Sequence, residues 1–227
     1  LNELISIISP LYGGTFIDCT FGQGGYSKEI LKNSSNKVIA LDRDRNVSSI
    51  ANKLEIKSKG RLSFHNKKFS EVNEFENKVD DLKAAIFDLG YSINQILDHK
   101  KGLSFQSEGK LDMRLGLNDF SCDEVISSIS EKNLFKIFKY FGEDKNSKII
   151  AKRIIQEREK QKLQTQDIVK IIEEIKKYKF TKTNPSTQTF QALRIYINKE
   201  ITELIYGLIN SFQILPIGGL IAVVSFH

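Results

Sequence analysis

The sequence predicts an α/β protein, a parallel doubly wound sheet interrupted after its fourth strand by an all-helical insertion. Three observations carry this. The first ninety residues alternate short apolar or β-branched runs with stretches long enough for helices. From about Leu97 one helical spacing follows another with no convincing strand. Beyond Asn184-Pro185 a long helix leads through Gly218-Gly219 into a fifth apolar run, Leu220 to Val224, where the sheet resumes.

The first four strands are expected at Thr15 to Thr20, Lys37 to Leu41, Arg61 to His65 and Ala84 to Leu89. In the insertion, Ser121 and Glu124 have capping-box spacing. Leu134, Ile137, Phe138 and Phe141 fall on one helical face, and Gly142 supplies a stop. Thr165 is placed to cap a helix whose buried stripe is Ile168, Ile171, Ile172 and Ile175. A single helix is expected from about Thr187 to Phe212, along the stripe Phe190, Leu193, Ile197, Ile201, Leu204 and Leu208. The expected domains are therefore residues 1–96 with 184–227 for the sheet, and 97–183 for the insertion.

Composition excludes several classes. Forty per cent hydrophobic and 27% charged residues rule out disordered and fibrous chains. No apolar run approaches the roughly 20 residues needed to cross a bilayer, so no membrane partner is expected. Cys19 and Cys122 are too few and too far apart for a disulfide framework, which points to a reducing, cytoplasmic compartment. The start at Leu1 and the stop at His227, directly after a strand, read as a fragment.

The strongest local signal is Asp18-Cys19-Thr20-Phe21-Gly22-Gln23-Gly24-Gly25, closing the first strand. Glycines there let the backbone turn sharply and approach a ligand, and the next helix points its N-terminal N–H groups at it. Asp42, twenty residues past Gly22 at the end of strand two, is placed to accept hydrogen bonds from ribose hydroxyls. The third glycine of a dinucleotide fingerprint would fall at Ser27, so that pattern is incomplete. Asp18 instead suits a cationic ligand without a pyrophosphate, and S-adenosylmethionine fits better than a nicotinamide dinucleotide. Asp88, ending strand four, faces the same crevice. A tight turn, a solvated strand end and a turn cap are the plain structural alternatives for these three features.

Taken together, the segments resemble the bacterial small-subunit (16S) rRNA cytosine-N4 methyltransferase family, RsmH or MraW. The matching stretches run in family order: Thr20 to Gly25, Leu41 to Asp44, Phe87 to Gly90, Lys101 to Phe105, Gly109 to Arg114, Phe141 to Glu143, Asn184 to Arg194 and Val224 to His227. The resemblance implies a class I (Rossmann-like) methyltransferase sheet, binding of S-adenosylmethionine, and 16S rRNA of the small ribosomal subunit as partner. It carries cofactor contacts onto Gly24, Gly25, Tyr26, Asp42, Phe69, Asp88 and Gln95, and places His227 near the substrate. A homodimer stays open. The chain departs from the family at Gln23, Tyr26 and Ile93-Asn94, where the family has Arg, His and Ser-Pro. These departures keep a second reading in play, a non-catalytic RNA-binding or ribosome-assembly protein on the same fold.

Methylating an exocyclic cytosine amine calls for an acceptor that hydrogen-bonds the NH₂ group and takes its proton. Asp88 and Asp112 are the candidates, with Arg114 positioning the base or a phosphate. A structural ion pair is an equal alternative for Asp112 and Arg114. No metal site is expected. Between Lys145 and Lys182 there are 12 Lys and Arg against 5 Asp and Glu, a net of +7 within an overall +6. Lys145, Lys148 and Lys152 fall on one helical face suited to phosphate contact, an ordinary solvated face being the alternative. Arg194, three residues past Gln191, joins them as a candidate RNA contact.

Overall fold

The structure is a computed structural model that describes residues 1–8, 10–77, 79–92, 95, 101–176 and 184–225. In chain order its strands are β1 Gly14–Asp18, β2 Asn36–Leu41, β3 Leu62–His65, β4 Leu82–Asp88 and β5 Leu220–Val224. The helices used below are α1 Asn2–Ile8, α2 Gly25–Ile30, α3 Ser48–Lys57, α4 Cys122–Ser128, α5 Glu131–Tyr140, α6 Ser147–Arg158, α7 Thr165–Lys176, α8 Thr187–Ile197 and α9 Glu200–Ile214. The chain forms two compact units, Leu1–Gly90 with Ile201–His227, and Tyr91–Glu200.

The first unit holds the sheet. All four strand pairs are parallel, in the order β3-β2-β1-β4-β5. The chain winds outward from β1 to β3, then restarts on the other side of β1 with β4. Strand order thus reverses between β1 and β4, the place where open parallel sheets bind ligands beyond their carboxyl ends. Side chains alternate across the sheet. Phe16, Val38, Ala40, Ala84 and Ile86 face the layer that includes α1, α2 and α3. Ile17, Leu41, Ala85 and Phe87 face Val72 and Phe75 of the 3-10 segment Phe69–Phe75 and Leu208 and Ile214 of α9. Phe16, Ile17, Ile86 and Phe87 are fully buried, each contributing about 1.5–3 kcal/mol of apolar transfer energy.

The second unit is helical, and its core joins Ile126, Leu134, Phe138, Ile150, Ile154, Ile168, Ile172 and Phe190. The expected capping box forms at Ser121 and Glu124. Three expectations are corrected. Thr165 does not cap α7; it is the buried first residue of that helix, and its hydroxyl donates to the Gly109 carbonyl at 2.9 Å. Gly142 is required by close approach instead of by a left-handed stop, since a Cβ there would lie 2.6 Å from the Gln188 carbonyl; Glu143 takes the positive φ of 50°. The helix expected over Thr187 to Phe212 is two helices, broken at Asn198-Lys199, where Lys199 has φ 49°. In addition, α8 packs Phe190, Ala192, Leu193 and Ile197 into the helical core, and this unit runs from Tyr91 to Glu200.

Candidate active site

The carboxyl ends of β1, β2 and β4 each carry an aspartate. Asp18, the last residue of β1, has no solvent exposure. It accepts a hydrogen bond from the Ser27 hydroxyl at 2.6 Å and one from the Thr20 N–H at 3.3 Å. Burial pushes its carboxyl up to about 6, against the lowering effect of those donors. The turn after it is built on ladder-like bonds, Cys19 N–H to the Ile86 carbonyl and Phe21 N–H to the Leu41 carbonyl, both 2.9 Å. Gly24 then takes φ 73°, where a Cβ would sit 2.9 Å from the Phe21 ring, so only glycine fits. At Gly25 a Cβ would meet nothing within 4 Å. Its bare backbone borders open space at the start of α2.

Asp42, just past β2, organises the same turn. One carboxylate oxygen accepts from the Gly22 N–H and the other from the Asp44 N–H, both at 2.8 Å. Burial raises its carboxyl despite these two donors. Asp88, at the end of β4, is partly exposed and differs in kind. Its backbone N–H donates to the Thr20 hydroxyl at 2.8 Å, while among the described residues nothing hydrogen-bonds its carboxylate. Burial raises this group too. The Tyr26 phenol is held above its ordinary value, first by burial and then by the charges of Asp88 and Asp18. Phe69 stands edge-on to Phe87 at 5.5 Å and abuts Gly207 of α9, where any Cβ would come within 2.8 Å of its ring; part of the ring stays exposed.

In the helical unit, Asp112 and Arg114 pair with each other. Arg114 Nε lies 2.8 Å and one terminal nitrogen 2.9 Å from the two Asp112 oxygens, and the Arg114 N–H adds a third bond at 3.1 Å. These bonds hold the Asp112 carboxyl below its ordinary range. Gln95 and Ser92 hydrogen-bond reciprocally, Ser92 N–H to Gln95 Oε1 at 3.0 Å and Gln95 N–H to Ser92 Oγ at 3.2 Å. Arg194 lies 4.7 Å over the Tyr91 ring and donates to the Leu103 carbonyl at 3.1 Å.

A model of the MraW methylase family matches residues 1–227. The chain belongs to that family. It is similar to proteins named Ribosomal RNA small subunit methyltransferase H from several bacteria. The one from Orientia tsutsugamushi (strain Ikeda) is 39% identical over 231 residues, all of this chain and 74% of the relative. The one from Anaplasma phagocytophilum is 37% identical over 235 residues, covering 80% of the relative. The one from Afipia carboxidovorans is 36% identical over 229 residues, covering 69% of the relative.

For this MraW-family methylase, the sheet unit gathers Gly24, Gly25, Tyr26, Asp42, Phe69 and Asp88 of the expected residues. Asp112, Arg114, Gln95 and Arg194 belong to the helical unit. Arg194 is part-buried, with its guanidinium over the Tyr91 ring and bonded to the Leu103 carbonyl inside that unit. Lys145, Lys148 and Lys152 are exposed, and none pairs with a carboxylate among the described residues. Lys145 precedes α6, leaving Lys148 and Lys152 as its i, i+4 pair opposite buried Ile150 and Ile154. Ile93, Asn94, His227 and the segment 177–183 lie outside the described residues. Among those described, no cluster of His, Cys, Asp and Glu is placed to hold a metal, and no helix is long and apolar enough to cross a membrane. Sequence reasoning missed Thr20, Ser27 and Asn198. Their signal was slight, small polar residues beside a glycine turn and an asparagine in an apolar helical stretch.

Proposed function

We propose that this chain methylates the exocyclic N4 amine of a cytidine in small-subunit (16S) rRNA, using S-adenosylmethionine, in the cytoplasm. The observation that carries the reading is Asp88, whose carboxylate is without a hydrogen-bond partner among the described residues and stands at the sheet's switch point. Three acidic groups at that end favour a cationic ligand. The open space at Gly25 leaves room for one against bare backbone. Gly24, Gly25 and Tyr26 would line its amino-acid part, Asp42 its ribose and Phe69 its adenine. When bound, S-adenosylmethionine supplies an electrophilic methyl group on a positively charged sulfur.

The chain's own residues do the rest. Asp42 fixes the glycine turn through Gly22 and Asp44, so the binding surface is formed in advance and costs little ordering on binding. Asp88 accepts a hydrogen bond from the cytosine amine and takes the proton that the amine must shed. Its burial-raised carboxyl makes it a better proton acceptor than an ordinary aspartate. Asp112, ionised and locked to Arg114, orients that guanidinium toward the acceptor base or its phosphate. Lys145, Lys148 and Lys152 add phosphate contacts that give affinity without sequence specificity.

Titration calorimetry with S-adenosylhomocysteine tests the cofactor, and absence of binding overturns that part. Tritiated methyl transfer onto small ribosomal subunits lacking the modification tests the reaction. Incorporation at cytosine N4 is expected; none would leave the non-catalytic reading standing.

A further inference from the structure

Asn198 is completely buried at the C-terminal end of α8, and its amide reaches five partners within the helical unit. Its Nδ2 donates to the Met113 carbonyl at 2.9 Å, the Arg194 carbonyl at 2.9 Å and the Tyr91 hydroxyl at 3.1 Å. Its Oδ1 accepts from the Leu115 N–H at 2.9 Å and from the Asn118 side chain. Three acceptors face the nitrogen and two donors face the oxygen, so the amide has one orientation. The Tyr91 hydroxyl in turn donates to Glu200.

The two backbone contacts flank one residue. Met113 carbonyl and Leu115 N–H lie on either side of Arg114, the partner of Asp112. The rest of this short stretch is tied as well: Met113 N–H to the Lys101 carbonyl at 2.7 Å, and Cys122 N–H to the Asp112 carbonyl at 2.8 Å. Met113 is held at φ 58°, a conformation that strains a non-glycine residue and persists only where its surroundings impose it. Yet the pair presented is itself part-exposed, Arg114 at 38% and Asp112 at 31%. An ordinary surface ion pair, worth little to stability, needs no such support. Buried anchoring under a part-exposed charged pair is what a site requires when it must hold a guanidinium in one direction.

We infer that Asn198 is a positioning residue that fixes the Asp112–Arg114 pair for the acceptor nucleotide. This rests on the reading that Arg114 meets the acceptor, and a double-mutant cycle on the full chain separates the two. Asn198→Ala is expected to lower kcat/KM for small-subunit RNA on the order of 100-fold, the scale of a misplaced catalytic group, with S-adenosylhomocysteine affinity within about twofold of wild type. Arg114→Ala should lose a similar factor, and the double variant should be no worse than Arg114→Ala alone. Additive losses overturn the inference. Wild-type turnover by Arg114→Ala overturns the reading beneath it, and the inference with it.

Asn198→Ala also strands buried polar groups, so two controls separate positioning from folding. Asn198→Asp keeps the shape and the acceptor for Leu115, but turns a second oxygen on the Met113 carbonyl; it should show the same kinetic loss while retaining cofactor affinity. Ile172→Val, in the buried core of α7, lowers Tm without touching the loop and should leave kcat/KM at the wild-type value. An equal loss of kcat/KM from Ile172→Val at a matched fall in Tm overturns the inference.

Discussion

The two units treat their carboxylates in opposite ways. At the end of the sheet, burial pushes Asp18, Asp42 and Asp88 upward, and like charges add to this at Asp18 and Asp42. In the helical unit, two guanidinium bonds pull Asp112 downward. In one region burial outweighs the positive charge nearby, that of Arg43 at Asp42 included; the other neutralises its charge on the spot. Uncancelled buried charge is costly in the free protein and becomes favourable when a cation arrives, the pattern of a binding end. Charge cancelled in place but held partly exposed suits orientation of a partner instead.

Substitutions at the four aspartates sharpen that contrast. The largest effect is expected from Asp88→Asn, which removes the proton acceptor and should cut kcat on the order of 1,000-fold in a methyl-transfer assay, with folding intact. Next is Asp18→Asn. Because the folded carboxyl lies at about 6, above the 3.8 of an unfolded chain, the folded state holds a proton that the unfolded chain has shed between those values. The cost of burying the charge is therefore fully present above pH 6 and vanishes as pH falls toward 4. Urea unfolding should show Asp18→Asn gaining up to about 3 kcal/mol on wild type between pH 4 and pH 8. A flat difference across that range would show that Asp18 is ordinary.

Asp42→Ala follows. It strands the Gly22 and Asp44 N–H groups and loosens the turn, so S-adenosylhomocysteine should bind about 30-fold more weakly by calorimetry, close to 2 kcal/mol. Smallest is the effect of Asp112→Asn on stability. The pair is over a third exposed on its arginine side, and the loss should stay under about 1 kcal/mol in thermal unfolding although activity falls. A large stability loss there would mark the pair as structural and erase the contrast.

The legible parts of this fold were those with local causes. The five strands announced themselves because parallel strands are runs rich in Val, Ile, Leu and Phe, and the observed bounds differ by at most two residues at either end. Ser121 and Glu124 cap α4 because a capping box needs only its own four residues. Asp42 and the glycine turn were visible because spacing along one βα unit fixes them. The break at Asn198 was hidden because Ile197, Ile201 and Leu204 continue a helical pattern across it. The cause is tertiary: buried partners in the 113–118 loop and Tyr91 claim the amide, and Ile201 beyond the break is 49% exposed. Thr165 misled for the same reason, its hydroxyl being used by Gly109, fifty-six residues away in sequence. The roles of Thr20 and Ser27 could not be read from type, since serine and threonine beside a turn usually serve the turn itself.

The hydrogen bond from Tyr91 to Glu200 has a consequence for how such a chain is assembled. Those residues are the first and last of the helical unit, so side chains from its two ends touch. A module with touching ends can be spliced into a host between consecutive elements, here β4 and α9, as if it were a single long turn. The host pays almost only the entropy of closing a loop, which grows slowly with length, and need not alter its strand order. By the same logic a circular permutant opened elsewhere in the helical unit would need only a short spacer between residues 91 and 200.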